Sequence, residues 1–129
     1  MIRLFLIDDE ALVRAAIESI INSWEGFQIA GEAPVDTAIE QLHRVSCDVV
    51  LLSLAGTDDV DGLIAKAVAR NCRNSPLVVL VGACDENFRK RLLRFGANRV
   101  VLKTEHPNEL RSVIQTLRDT LEPERRLIG

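Results

Sequence analysis

The sequence lacks the features of a membrane-spanning or exported protein. Among its 129 residues, no apolar run approaches the ~20 residues that are needed to span a bilayer. The N-terminal apolar run Leu4–Ile7 is followed at once by Asp8, Asp9 and Glu10, whereas a secretory signal needs a longer apolar core. We therefore expect neither a transmembrane segment nor a signal peptide, and no membrane partner.

The cysteines and the balance of charge exclude further classes of protein. The three cysteines, Cys47, Cys72 and Cys84, are odd in number and lack metal-ligand spacing, so a reduced, cytoplasmic protein is expected. The 16 Lys and Arg residues are outnumbered by 19 Asp and Glu residues, which gives a net charge of −3. This balance argues against nucleic acid or an anionic membrane as the main partner of this chain.

The features that are present are typical of one globular domain. Hydrophobic residues make up 47% of the chain and charged residues 27%, and 129 residues are enough to bury a core. Short β-rich apolar runs recur along the chain, at Leu4–Ile7, Phe27–Ala30, Val49–Leu52, Leu77–Val81 and Val100–Leu102. Each run is followed by a helical pattern with an apolar stripe at spacings of three and four.

This alternation predicts an α/β fold in which five parallel strands form a doubly wound sheet with helices on both faces. The apolar stripe of the last helix ends at Leu121, so residues 1–121 are predicted to form the domain. Residues 122–129 are charged and lack the stripe, and they are predicted to be a tail or the start of a linker. Sheets of this kind bind ligands at the carboxyl ends of their strands.

The residues at these strand ends are therefore the functional candidates. Asp8 and Asp9 follow the first strand, Ser53 follows the third, Val81 ends the fourth and Lys103 follows the fifth. Adjacent carboxylates repel each other by about a few kcal/mol at an effective dielectric of about 20. Either Mg²⁺ or the ammonium group of Lys103 would offset this repulsion. The simpler alternative is a solvated acidic turn that caps the first helix.

The motifs LFLIDDEALVR, CDVVLLSL, PLVVLVGA and FGANRVVLK, in this order, resemble those of response-regulator receiver domains across residues 2–121. Within that family they resemble the NarL/FixJ (LuxR-type) branch. The resemblance implies a flavodoxin-like (CheY-like) three-layer sandwich. It also implies that Asp8 and Asp9 are the acidic pair that holds Mg²⁺ and that Lys103 is the lysine that contacts the phosphoryl group.

Three positions depart from the family pattern. Ser53 occupies the position of the phospho-acceptor Asp, Val81 that of the switch hydroxyl and Val100 that of the aromatic residue. The loop after Ser53 also lacks the family's Pro and is one residue longer. A serine hydroxyl is un-ionised at neutral pH and has no evident base here, so phosphoryl transfer to it is not expected. Without the third carboxylate, only a weak Mg²⁺ site at Asp8 and Asp9 is predicted.

The sequence thus predicts a non-catalytic regulatory module, an atypical receiver that requires no cofactor and in which Lys103 pairs directly with Asp8 or Asp9. The resemblance implies an output domain of the helix-turn-helix type, outside this chain, through which DNA is bound and transcription is controlled. A histidine kinase partner is left open. A homodimer through the first and last helices or through the face of the fourth helix is a further possibility.

Two alternatives belong to other classes. A small phosphoryl-transfer enzyme of the haloacid-dehalogenase type would use Asp8, but that class requires Asp-x-Asp and usually a cap domain, whereas this chain has Asp8-Asp9-Glu10. A flavodoxin-like FMN-binding protein would need a Ser/Thr-rich phosphate loop after the first strand, which this chain lacks.

Overall fold

Strands and helices alternate along the chain in a computed structural model that describes residues 1–56, 59–72 and 74–128, without the side chains of residues 121–128. The strands in this part of the chain are β1 (Ile2–Ile7), β2 (Phe27–Ala33), β3 (Val49–Leu54), β4 (Leu77–Val81) and β5 (Arg99–Leu102). The helices are α1 (Ala11–Asn22), α2 (Val35–Leu42), α3 (Asp59–Asn71), α4 (Glu86–Arg94) and α5 (Pro107–Ile128). The predicted alternation of strand and helix is confirmed.

The strands form one parallel sheet in the order β2-β1-β3-β4-β5. The chain moves from β1 to one side to form β2 and then returns to the other side for β3. The order therefore reverses between β1 and β3, which is where ligands bind in doubly wound sheets. The fold class is that predicted from the sequence.

Two apolar clusters cover the two faces of the sheet and explain the strand sequences. On one face, Leu6 and Leu51 belong to a cluster that includes Ile21 of α1 and Ile114 of α5. On the other face, the residues between them along the strands pack against α2, α3 and α4, for example through Phe88. Every residue of β3 is buried, because this central strand is covered on both sides.

The last helix is longer than the sequence pattern predicts. Its backbone is helical from Pro107 to Ile128 and thus includes most of the segment predicted as a tail. Glu and Arg make up half of this segment and have high helix propensity, and the helical backbone continues through Pro123 although that residue has no N–H to donate. The role of residues 122–129 as the start of a linker stays a prediction, and Gly129 lies outside the described residues.

The cysteines are free thiols in different environments. Cys72 is buried at the end of α3, and burial, followed by the nearby Cys47, raises the pKa of its thiol to about 12. A thiol with such a pKa is protonated and unreactive at neutral pH. No helix in the described part of the chain has the length and apolarity to cross a membrane.

Candidate functional site at the carboxyl ends of the strands

The edge of the sheet at the carboxyl ends of β1, β3, β4 and β5 brings together the residues singled out from the sequence. Ser53 of β3 lies beside Leu80 of β4, which in turn lies beside Val101 of β5. Because strand side chains alternate, these three residues share the face covered by α1 and α5. Asp8 follows the last residue of β1 at the level of Ser53.

The carboxylates of Asp8 and Asp9 accept hydrogen bonds from different parts of the chain. Asp8 is buried, with 5% of its surface exposed, and its Oδ1 accepts a hydrogen bond of 2.8 Å from the backbone N–H of Glu10. Its backbone carbonyl oxygen accepts a hydrogen bond from Nη1 of Arg14. Asp9 is exposed, and its Oδ1 accepts a hydrogen bond of 2.8 Å from the backbone N–H of Val35.

Asp9 therefore has a structural role that the sequence did not reveal. Val35 is the first residue of α2, so the Asp9 carboxylate satisfies a free N–H group at the N-terminus of a helix that is distant in sequence. The partial positive charge of a helix N-terminus stabilises a carboxylate at this position. Only the return of β2 to the side of β1 brings α2 to this point, and no local motif signals that arrangement.

Ser53 has a buried hydroxyl group at this edge of the sheet. Only 4% of its surface is exposed, and its Oγ has no hydrogen-bond partner among the described residues. Nε of Arg14 is the other buried side-chain polar atom without a partner in this part of the chain. A buried hydroxyl without a partner costs about 1–3 kcal/mol of stability, so the folded state gains nothing from the polarity of this side chain.

The two residues that the resemblance places at the switch positions are apolar and packed. Val81 is fully buried in the cluster beneath α2, α3 and α4, and Val100 is half-buried against the same cluster. Neither side chain carries a hydrogen-bonding group. The positions that resemble the family's relay are thus filled by side chains that strengthen the core.

Lys103 directly follows β5, at the same edge of the sheet as Asp8 and Ser53. Its backbone N–H donates a hydrogen bond of 2.8 Å to the carbonyl oxygen of Val81, which fixes its position after β5. Its side chain is exposed, and none of the ion pairs among the described residues includes it. The direct pairing with Asp8 or Asp9 that the sequence predicts is therefore wrong for this conformation, since both carboxylates are stabilised by backbone N–H groups instead.

The loops after β3 and β4 come into close contact, and sequence reasoning missed this contact. Gly56, with φ of 91°, donates its backbone N–H to Oδ2 of Asp61 at 2.8 Å. A Cβ atom at Gly56 would collide with the carbonyl oxygen of Ala83 and lie 2.9 Å from Cβ of Val81. Only glycine fits this approach of the loop after β3 to the loop after β4. Thr57 and Asp58, in the first of these loops, lie outside the described residues.

Comparison with known proteins identifies the family and the fold. The family model of the response regulator receiver domain matches residues 4–115. The chain belongs to this family. Two full-length relatives are the response regulator UvrY of Escherichia coli K12, with 28% identity over 119 residues, and the response regulator protein VraR of Staphylococcus epidermidis, with 27% identity over 116 residues. The matches cover 91% and 88% of this chain but 54% and 55% of those proteins, so the chain spans about half their length.

Solved structures of receivers have the same fold. A CheY-like receiver from Methanospirillum hungatei JF-1 has a TM-score of 0.79 and 16% identity, with 96% of this chain and 98% of that chain covered. A LuxR-family regulator from Aurantimonas sp. SI85-9A1 has a TM-score of 0.78 and 20% identity, with 93% and 86% covered. The receiver of the sensor kinase PA1611 from Pseudomonas aeruginosa has a TM-score of 0.73 and 21% identity, with 92% and 98% covered, and it contains a magnesium ion in its active-site cleft.

In this receiver, the donor set for such a cation is reduced. Receiver domains bind Mg²⁺ at their active site, and Mg²⁺ prefers carboxylate oxygens in an octahedral arrangement that includes several waters. Asp8 and Asp9 supply carboxylates, but one oxygen of each already accepts a backbone hydrogen bond. In the described part of the chain, no cluster of three or more His, Cys, Asp or Glu residues is arranged to hold a metal ion. The residues fit a weakly held ion with mostly water ligands.

Proposed function

We propose that this receiver domain is a regulatory module of a two-component response regulator and that it signals without accepting a phosphoryl group at residue 53. The observation that carries this proposal is the buried Ser53 Oγ, at the acceptor position and level with Asp8. A serine needs an adjacent base to become a nucleophile, and among the described residues no group hydrogen-bonds to this hydroxyl. A neutral, unactivated hydroxyl does not attack phosphohistidine.

The relay that would report phosphorylation is also missing. In the family's relay a hydroxyl at the switch position reports the phosphoryl group. Val81, which the resemblance places there, offers only methyl groups, and its side chain packs on the sheet face opposite to that of Ser53. Val100 lacks the aromatic ring that, in the family's relay, changes its position when the domain is phosphorylated. Because acceptor and relay are lost together, the module is best understood as a binding domain without catalytic activity, in which a cation at Asp8 and Asp9 is weakly bound and not required.

The output lies outside this chain. Full-length relatives are about twice as long as the matched region, and one solved neighbour is a LuxR-family regulator. We assign to this protein an output domain of the helix-turn-helix type that contacts DNA and controls transcription in the cytoplasm. This receiver acts on it through protein contacts. A homodimer through the edge of α1 and α5 or through α4 stays a prediction, and so does any histidine kinase partner.

The rival function is a phosphoryl-transfer enzyme in which Asp8 is the nucleophile. It is not favoured, because the family match is to receivers and because Asp8 Oδ1 is held by the N–H of Glu10. The second residue after Asp8, where such enzymes need an Asp, is Glu10, and its backbone N–H donates the hydrogen bond to Asp8. The spacing of Asp-x-Asp that such enzymes use is absent from Asp8-Asp9-Glu10.

The test is intact-mass spectrometry after incubation with acetyl phosphate and Mg²⁺. We expect the native chain to remain unmodified and Ser53→Asp to gain one phosphoryl group. Ser53→Asn is the matched control, since it has the size of Asp without a nucleophilic carboxylate, and it is expected to remain unmodified. A native chain that gains a phosphoryl group would overturn the proposal, and Asp8 and Asp9 would then be the first acceptors to map.

A further inference from the structure

An apolar groove lies between α1 and α5, near the carboxyl ends of β4 and β5. It has a volume of about 310 Å³. Val13, Ala16 and Ile17 of α1 form one wall, and Leu80 and Val101 of the sheet lie at the floor. In the described part of the chain, α1 and α5 pack mainly on the sheet and little on each other, which leaves a groove between them above the buried floor residues Leu80 and Val101.

The mouth of this groove carries charges of both signs on one short loop. Lys103 and Glu105 line the groove after β5, and both are exposed. Among the described residues, neither takes part in an ion pair, with the other or with a third residue. His106 also lines the mouth, and its Nδ1 accepts a hydrogen bond of 3.1 Å from the backbone N–H of Asn108, so the neutral ring carries its proton on Nε2.

We propose that this groove binds a small zwitterionic amino acid with a large apolar side chain. The apolar walls and floor would bury the side chain, the ammonium group of Lys103 would pair with the ligand carboxylate, and the carboxylate of Glu105 would pair with the ligand ammonium group. Ligand pockets in proteins have volumes of about 300–1,000 Å³, so this groove suits a molecule at the small end of that range. A purely anionic or purely cationic apolar ligand could pair with only one of these two exposed charges and would gain less from the mouth of the groove.

A helix of a second copy is the rival occupant of this face, since its side chains could enter the groove, and the sedimentation experiment below distinguishes it from a small molecule. Leu12, on the rim, is 86% exposed and extends the apolar wall toward solvent. The floor residue Leu80 is paired with Ser53, so a ligand on the floor would lie one strand away from the substituted acceptor position.

This inference rests on the proposed function, because a receiver that does not accept phosphate requires another input. Binding at the floor would act on α1 and α5, which share one face of the sheet with Asp8 and Ser53. The two proposals fail separately, since the first is measured by a phosphoryl group in the mass spectrum and the second by occupancy of the groove.

The experiment titrates the ¹⁵N-labelled chain with L-tryptophan and L-leucine and follows backbone amide shifts, with calorimetry for affinity. We expect saturable shifts that include Leu80, Val101 and Leu110, all of which line the groove. Indole-3-propionate and tryptamine, which each lack one of the two charges, are the ligand controls and should bind more weakly than tryptophan. Equal binding of either analogue would overturn the zwitterionic class, and the absence of saturable binding by both amino acids would overturn the site.

Matched variants locate the binding. Ala16→Phe fills the groove and should abolish binding, whereas Ala15→Phe, on the exposed side of α1, should leave it unchanged. Circular dichroism and thermal melting show whether each variant is folded. Sedimentation tests the rival occupant: a dimer of the native chain that Ala16→Phe dissociates and Ala15→Phe does not would assign the groove to a second copy and overturn the proposal.

Charge variants test the mouth. Lys103→Met and Glu105→Gln should each weaken tryptophan binding by up to about fivefold, which is the range of solvent-exposed ion pairs. Lys90→Met and Glu25→Gln, at exposed positions away from the groove, are their controls and should have no effect. If the mouth variants bind tryptophan as tightly as the native chain, the assigned charge contacts are wrong.

Discussion

At the scale of single residues, the pocket differs from that of a phosphorylated receiver through side chains that are buried and either unpaired or apolar. Ser53 Oγ is buried without a partner in the described part of the chain, and Val81 is packed in the core. The residue types at these positions could be read directly from the sequence. Their burial and their lack of partners could not, because both depend on which segments cover the strand ends.

Replacing Ser53 with Ala should raise the free energy of unfolding by about 1 kcal/mol, because it removes a buried hydroxyl that has no hydrogen bond among the described residues. Ser75→Ala is the matched control. Its Oγ donates a hydrogen bond of 2.8 Å to the carbonyl oxygen of Cys47, so this variant should lose about 1 kcal/mol. Urea unfolding of the three proteins measures both changes. A loss of stability in Ser53→Ala equal to that in Ser75→Ala would mean that the Ser53 hydroxyl has a partner in solution.

Gly56→Ala should lower the free energy of unfolding by about 2–4 kcal/mol. The variant combines a left-handed backbone conformation with a collision between the new Cβ and the carbonyl oxygen of Ala83. Gly26→Ala separates the two causes, because Gly26 has φ of 85° but a Cβ added there would have no atom within 4 Å among the described residues. That control should cost only the strain of about 1–2 kcal/mol. Equal losses in the two variants, measured by denaturant unfolding, would show that the contact between the loops contributes nothing.

At the scale of elements, side chains from one element satisfy or oppose groups on another. Asp9, after β1, binds the first N–H of α2, and Arg91 of α4 forms an ion pair of 2.9 Å with Asp59 of α3. Glu18 of α1 and Glu32 of β2 are close enough to interact directly. A hydrogen bond with Glu32, then burial and repulsion between the carboxylates, raise the pKa of Glu18 above its ordinary value of 4.5.

Glu18→Gln should therefore raise the melting temperature slightly at pH 7 and leave it almost unchanged near pH 4. The raised pKa means that the folded state holds a proton on Glu18 more tightly than the unfolded state does. This contribution to stability is complete below pH 4.5 and is lost as the pH rises through the folded-state pKa, where the two carboxylates repel. Gln donates the same hydrogen bond without the charge.

Thermal melts of the native chain and the variant between about pH 4 and pH 7.5 test this prediction, since that window extends upward from the ordinary value of 4.5 above which the pKa of Glu18 is raised. Glu25→Gln serves as the control, because Glu25 is exposed in the turn after α1. A benefit of Glu18→Gln that is the same at both ends of this range, or is larger at the acidic end, would contradict the assigned interaction with Glu32.

At the scale of the whole molecule, the balance of charge limits what this chain binds by itself. The net charge is −3, and although α4 is rich in basic residues, Arg89 and Arg91 form ion pairs with Glu86 and Asp59. Lys90 and Arg94 are exposed on the same helix. Two such cations on an acidic molecule provide little of the electrostatic attraction on which DNA binding depends.

The isolated chain should accordingly bind a labelled DNA duplex no more tightly than nonspecific binding allows, with a Kd of about 10⁻⁴ M or weaker at physiological salt. Fluorescence anisotropy provides the measurement. Micromolar binding that is removed by Lys90→Glu together with Arg94→Glu would contradict this prediction and would assign DNA contact to the receiver itself.

The order of strands and helices along the chain, the layered α/β class and the residue types at the strand ends can all be read from the sequence alone. Periodicity and residue type are local properties, and burial on both faces leaves continuous apolar runs such as that of β3. The long last helix was missed because its final turns carry no apolar stripe.

The partners of the charged groups and the shape of the surface depend on how distant segments pack together. The Asp9 carboxylate accepts a hydrogen bond from α2, and Gly56 allows the loop after β3 to contact the loop after β4, because strand order and close packing bring these distant segments together. Lys103 forms no ion pair among the described residues. The groove between α1 and α5 arises for the same reason: both helices pack on the sheet, and the gap between them depends on their placement rather than on either sequence.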